Sequence, residues 1–187
     1  MGRVSQAQAQ ENRERVVDTA SRLFREQGTQ VSVADLMKAA GLTHGGFYKQ
    51  FASKEALVDE ATAHAFGTLE RQHAAQLEAH AGQRGTARRE LIDSYLSVRH
   101  RDDPANGCPV AGLATDLARH PDDSGAHRTY ADGVRDFAAL LSTDEDGADG
   151  LAQLSTLVGA LVLARATAGS ALSEEILESA KAALDEK

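Results

Sequence analysis

Residues 32–54 read Ser-Val-Ala-Asp-Leu-Met-Lys-Ala-Ala-Gly-Leu-Thr-His-Gly-Gly-Phe-Tyr-Lys-Gln-Phe-Ala-Ser-Lys, two short helical patterns meeting at a glycine. Few folds accommodate such a pair. Ser32 followed by Asp35 has the form of a capping box, with Ser32 accepting a backbone N–H and Asp35 reaching back. The helix it opens runs from Val33 to Ala40 and buries Leu36, Met37 and Ala40. Gly41 turns the chain and Leu42 plugs the turn. Thr43 caps a very short helix through Gln50, and Ser53 caps a long one. Two helices joined by a turn of about three or four residues with glycine form a helix-turn-helix, whose second helix enters the DNA major groove.

The rest of the chain is predicted to be helical as well. Residues 1–11 read as a frayed arm. From Asn12 the apolar positions Val16, Val17, Ala20, Leu23 and Phe24 lie on one helical face, and Gly28 supplies a left-handed C-cap. The long helix after Ser53 reaches about Ala79, with Leu57, Ala61, Ala65 and Leu69 inward, and Gly82 to Gly85 breaks it. Ala87 to His100 follows, with Leu91, Tyr95 and Val98 on one side. Arg101 to Gly107 is a loop and Pro109 to His120 a helix. After a turn at Pro121 to Gly125 come two long segments, Ala126 to Ser142 and Gly150 to Gly169, separated by the acidic stretch Thr143 to Gly150. Ser173 to Lys187 is the last helix. The expected fold is all-α, with about nine helices: a helix-turn-helix head over 12–58 and a helical body over 59–187. With 3 prolines and no tryptophan, helices are favoured over strands. A single cysteine excludes an internal disulfide framework. No apolar run of about 18 residues spans a membrane. The polar N-terminus lacks a signal-peptide core, so the expected location is the cytoplasm.

The net charge of −8 runs against a polyanion partner until its distribution is considered. Residues 1–54 hold eight Arg and Lys against five acids, a surplus of three, so the remaining 133 residues carry −11. A mildly basic head on an acidic body orients the molecule on phosphate, because the body is repelled.

Leu23-Phe24, Gly28, Val31-Ser32-Val33, Ala39-Ala40-Gly41-Leu42-Thr43 and Phe47-Tyr48-Lys49-Gln50-Phe51-Ala52-Ser53-Lys54-Glu55-Ala56-Leu57 together resemble the tetracycline-repressor (TetR/AcrR-type) family of bacterial regulators. The resemblance covers roughly residues 12–60; beyond it the likeness is one of length and helix count. It implies a homodimer with an N-terminal DNA head and a C-terminal body for ligand sensing and dimerisation. It also implies a transcriptional repressor released from double-stranded palindromic DNA by a small effector, with no enzymatic activity and no cofactor.

Within the head, Phe47 and Phe51 are four apart and serve as core, locking the recognition helix onto the first helix. Tyr48 points elsewhere and suits a phosphate or base edge. Thr43 and His44 open the segment with which the family reads bases. Gly45 allows close approach of backbone to DNA, Lys49 and Lys54 suit phosphate, and Val33 flanks the groove with Gln30. One short helix reads few base pairs, and two heads about 34–36 Å apart read a palindrome, so a dimer is expected. Gly150 to Gly169 is apolar around much of its circumference, and Gly159 and Ala160 permit close approach. With the Ala126–Ser142 helix it suits an intersubunit four-helix bundle, the candidate interface being Val134, Leu141, Leu154, Leu157, Val158 and Leu161. An ordinary core helix is the alternative.

Asn106-Gly107-Cys108-Pro109 is the second place for chemistry. Pro109 favours the first helical position, which puts Cys108 at the N-cap, where the helix dipole should lower its pKa. Arg99, His100 and Arg101 are near in sequence. The segment is similar to one in TetR-type regulators that respond to electrophiles or oxidants through a cysteine, which makes Cys108 a candidate sensor; a buried space-filling residue is the other reading. A noncovalent pocket for an apolar or aromatic effector is expected among Leu91, Tyr95, Leu113, Leu117 and Phe137, beside Leu161, with Tyr95, Tyr130 or His127 orienting the ligand. His120 and His127 make a poor metal pair, and no dense cluster of ligand spacing exists. A cysteine enzyme using Cys108 with a histidine base, or a helical adaptor, leaves residues 32–54 unexplained.

Overall fold

The computed structural model describes residues 6–120, 123–142 and 149–185, and among these every regular element is helical. Residues 143–148 of the acidic stretch and 121–122 of the Pro121–Gly125 turn lie outside the described residues, as do 1–5 and 186–187.

Helix α1 spans Gln6–Gln27. It begins six residues before the apolar pattern does, because its polar start supports itself: Gln8 bonds Glu11 and Gln10 bonds Glu14 one turn away. The expected frayed arm is therefore helical from Gln6. Val16, Val17, Ala20 and Phe24 are buried, and α1 ends at Gly28, whose φ of +85° is left-handed. Helix α2, Val33–Ala39, starts at Ser32, whose hydroxyl oxygen accepts from the Asp35 N–H at 3.1 Å while its O–H donates to the Asp35 carboxylate at 2.6 Å. A 3₁₀ helix, His44–Lys49, follows Gly41. Thr43 occupies its N-cap position but makes no capping bond, contrary to expectation. Ser53 does cap α3, Lys54–Ala79, accepting from the Ala56 N–H at 3.1 Å.

The helix expected over Ala87–His100 is two. Helix α4 is Arg84–Tyr95 and α5 is Val98–Asp102. Leu96 leaves helical geometry, and Ser97 caps α5 by accepting from the His100 N–H at 3.1 Å. The break rotates Val98 out of line with Leu91 and Tyr95, leaving it exposed rather than buried with them. It also puts Arg101 and Asp102, expected in a loop, inside α5. Helix α6 is Pro109–Leu117, α7 Gly125–Leu141, α8 Gly150–Ala166 and α9 Ala171–Asp185.

Two apolar clusters organise these helices. The first joins Phe24, Leu36, Met37, Phe47, Phe51 and Leu57 with Leu113 and Leu117 of α6. The second joins Phe66, Ile92, Leu96, Phe137, Leu141, Leu157, Leu161 and Leu177. Helix α3 contributes Leu57 to one and Phe66 to the other, so it runs through both head and body. Polar ties reinforce the junction: the Asp116 carboxylate accepts from the Thr29 N–H at 3.0 Å, and Asp59 accepts from the Ala126 N–H at 2.7 Å. In the body, α3 and α7 approach closely enough that a methyl group at Gly133 would overlap the Phe66 ring.

Candidate nucleic-acid interface and effector cleft

The 3₁₀ helix divides its residues between core and solvent. Phe47 is wholly buried and stacks on Phe51 at 5.4 Å between ring centroids. Tyr48, next in sequence, is 68% exposed, its ring held edge-on against Phe47 at 5.1 Å. An aromatic that exposed is not part of the core, and one braced from below loses little freedom when a partner covers it. Thr43, His44, Gly45 and Lys49 are also exposed, and Lys54 is half-buried at the N-terminus of α3. Gly45 has ordinary backbone geometry, and a Cβ there would meet nothing within 4 Å, so nothing inside the chain requires glycine at that position. Val33 is different: it is half-buried and packs against the head core. Arg13, a further cation of the head, is bound to Glu60 at 2.6 Å and lies over the Phe51 ring at 4.8 Å.

Behind the head lies a cleft of about 540 Å³. It is lined by Asp18, Arg22 and Arg25 of α1, His64, Leu69 and His73 of α3, Leu91 and Tyr95 of α4, Arg99 and His100 of α5, and Gly107 and Cys108. Cys108 is the N-cap of α6 with Pro109 first in the helix, as the sequence predicts. The expected fall in its pKa is not found. Cys108 is 4% exposed, and burial pushes the thiol up by more than the Tyr95 hydroxyl and the Ala111 and Val110 amides pull it down. The Cys108 N–H donates to His100 Nε2 at 3.0 Å, and His100 Nδ1 lies 2.7 Å from the Tyr95 carbonyl, to which it donates as the Nδ1–H tautomer. The Tyr95 hydroxyl approaches the thiol but reaches hydrogen-bond geometry with no group, although it is fully buried.

Of the neighbours expected around Cys108, Arg99 lines the cleft and Arg101 turns away, to Asp102 at 2.7 Å and Ser173 at 2.9 Å. Two arginines that sequence reasoning missed stand in. Arg165 of α8 donates to the His100 carbonyl at 3.0 Å, and Arg25 of α1 donates to the Gly107 carbonyl at 2.9 Å. The crowding leaves no side-chain room at Gly107, where a Cβ would lie 2.7 Å from Arg165 and 3.0 Å from His100.

Leu91 and Tyr95 line the cleft as expected, but Leu113 and Leu117 do not: helix α6 turns them under α1 into the head core. Phe137 and Leu161 belong to the body core, and Phe137 also borders a smaller cavity of about 230 Å³. Tyr130 is occupied, donating to the Val110 carbonyl at 2.8 Å, and His127 borders neither cavity. Among the described residues no group of three or more metal-ligating side chains occurs, and no helix is long and apolar enough to cross a membrane.

His73 lines both cavities, its ring 4.6 Å from Phe137, and burial lowers its pKa from 6.5 to about 4. The unfolded chain therefore binds the proton first. The stabilisation is complete above pH 6.5 and is lost as pH falls toward 4. His100, also lowered by burial, acts in the same direction. We expect stability to fall by on the order of 1–2 kcal/mol for His73 across this window, after allowing for solvent screening. Urea midpoints at pH 7.5 and pH 5 should differ less in His73→Phe.

Four of the six residues expected at a subunit interface, Leu141, Leu154, Leu157 and Leu161, close the protomer's own core and are unavailable to a partner. Val134 and Val158 are half-buried against the same core. The all-round apolar character of α8 is satisfied by α7 and α9 on one side, and the other side carries exposed Leu151, Val162 and Leu163, next to Leu172 of α9. Gly159, Leu163, Leu172 and Ile176 line an open groove between α8 and α9.

Residues 16–61 match the family described as bacterial regulatory proteins, tetR family. Over 61 residues the chain is 41% identical to the HTH-type transcriptional regulator AcrR of Shigella flexneri, a stretch covering 32% of this chain and 28% of that relative. The chain thus spans under a third of that curated relative's length. Its fold is similar to that of E. coli NemR in the reduced form, with TM-score 0.77 and 19% identity over 94% of this chain and 96% of that one. A TetR-family transcriptional regulator from Agrobacterium tumefaciens gives TM-score 0.78 and 20% identity over 95% and 98% of the two chains.

Proposed function

Through residues 16–61 this chain belongs to the tetR family of bacterial regulatory proteins, and on that premise we propose that it is a homodimeric transcriptional repressor, released from an inverted-repeat operator by a small effector. The observation that carries the reading is the division of the 3₁₀ helix: Phe47 is wholly buried while Thr43, His44, Gly45, Tyr48 and Lys49 lie exposed together. Thr43, His44 and Gly45 approach base edges. Tyr48, Lys49 and Lys54 hold phosphates, and Val33 contributes only at the edge of the groove, being half-packed. The dimer face is the Leu151, Val162, Leu163 and Leu172 surface of α8 and α9.

The effector occupies the cleft over Cys108. Its route to the head is short, because Arg25 of α1 holds the carbonyl of Gly107, one residue before the cysteine. A ligand that displaces Gly107 shifts α1 with it. A second reading has Cys108 as the sensor, adding to an electrophile; the buried Tyr95 hydroxyl beside the thiol favours it, since that O–H can donate to a carbonyl oxygen of the incoming reagent. For an α,β-unsaturated carbonyl, sulfur bonds to the β-carbon and the thiol proton passes to the α-carbon.

Binding of the full chain to DNA fragments carrying inverted repeats, titrated with salt, tests the function. We expect affinity to fall steeply with ionic strength, with each lost phosphate contact lowering the slope by about one. Salt-insensitive binding, or none at low salt, would contradict it. Release of Cys108→Ser from DNA by the same electrophiles at the same concentrations would sink the covalent reading and leave the first intact.

A further inference from the structure

We propose that the cleft is built for an amphipathic organic anion, its charged end between Arg22 and Arg99 and its apolar end along Leu69, Leu91 and Tyr95. The inference deepens the functional reading by giving the effector a chemical class.

Five permanently charged side chains face the cleft, and three are already engaged. Arg25 is bound to the carbonyls of Ser21 and Gly107. Asp18 is turned to His64 at 3.4 Å, and Asp103 receives the Asn106 side-chain amide at 2.9 and 3.0 Å and its backbone N–H at 3.3 Å. Arg22 and Arg99 make no hydrogen bond or ion pair among the described residues. Both line the one cleft, with the Asp103 carboxylate on the same wall. Two forked, unengaged donors lining one cleft suit the oxygens of a carboxylate or phosphate.

Beside these charges the lining includes an apolar strip among neutral polar side chains such as Thr68, Gln72 and Gln76. Leu91 and Tyr95 are buried, Leu69 is half-buried, and the Tyr95 hydroxyl is fully buried beside the Cys108 thiol. His73 also lines the cleft and, held low by burial, is neutral near pH 7. An inorganic ion would satisfy the arginines and leave the apolar strip empty, while a neutral hydrocarbon would bury apolar wall and leave both arginines idle. A molecule with both ends uses the whole cleft, and about 540 Å³ is ample for one. Because Arg22 belongs to α1 and Arg99 to α5, the bound anion would join the head to the body.

Calorimetric titration of the free full-length chain, without DNA, tests this with decanoate, decyl phosphate and the uncharged decanol. We expect one or both anions to bind at least tenfold more tightly than decanol, and the comparison of the two identifies the headgroup. Arg22→Gln and Arg99→Gln should each weaken the anion by about tenfold, with decanol unaffected. Both positions are exposed, so neither change threatens folding, which circular dichroism verifies. Decanol binding as tightly as the anions, anion affinity unchanged in both variants, or no binding by any probe would overturn the proposal. Anion binding without DNA binding would contradict the repressor reading alone; DNA binding without anion binding would contradict this one alone.

Discussion

Phe47→Ala should destabilise the protein by about 3–5 kcal/mol and remove DNA binding at temperatures where the fold survives. Phe47 has no solvent-accessible surface, and its ring is stacked on Phe51, braces Tyr48 and sits among Leu36, Met37 and Leu57. Truncation leaves a cavity the size of a phenyl ring under the segment assigned to base contact. Many domains have only about 5–15 kcal/mol in total, so urea denaturation should show a large shift of the midpoint. Tyr48→Ala is the necessary companion. Tyr48 is exposed, so its loss should change stability by no more than about 0.5 kcal/mol while weakening DNA binding. Equal stability losses in the two variants would mean that the 3₁₀ helix does not separate support from contact. Because Leu113 and Leu117 of α6 belong to the same cluster, Phe47→Ala should also loosen the cleft.

The second large effect concerns assembly. Leu163→Glu combined with Leu172→Glu places two charges on the apolar surface between α8 and α9, where a partner would have to desolvate them. We expect sedimentation to report a monomer at concentrations where the parent is dimeric. We also expect operator affinity to drop by at least about a hundredfold, because each head then binds alone. Both leucines are more than half exposed, so the monomer should keep its helical content. Leu157→Glu should behave otherwise, since Leu157 is wholly buried in the protomer and a charge there disrupts the core. A double variant that remained dimeric would move the interface elsewhere.

The difference between Leu157 and Leu163 marks where sequence reasoning stops. Both lie on a helix that is apolar around its circumference, and periodicity cannot say which side meets α7 and α9 and which side is left over. In the head, by contrast, the signals are local. Ser32, Gly41 and Ser53 act on backbone groups within a few residues of themselves, so α2, the turn and the start of α3 appear where they were expected. Thr43 has the residue type of a cap and the backbone angles of one, but its hydroxyl makes no such bond, a detail that depends on the tighter 3₁₀ geometry. The break after Tyr95 had a local signal in Ser97, masked by the apolar spacing from Leu91 to Val98. The cleft was the least legible part. The N-cap position of Cys108 follows from Pro109, but its burial, and hence the upward displacement of its thiol, depends on how α4, α5 and α8 pack over it. Arg25 and Arg165 reach the Cys108 region from remote parts of the chain, and no spacing rule connects them to it.

Selection of bound duplexes from a randomised DNA library, followed by the stoichiometry of the winning complex, tests the paired-head account most directly. The account predicts enrichment of an inverted repeat with half-sites about one helical turn apart, occupied by two protomers. Failure to enrich any sequence, or enrichment of an asymmetric site holding a single protomer, would contradict it.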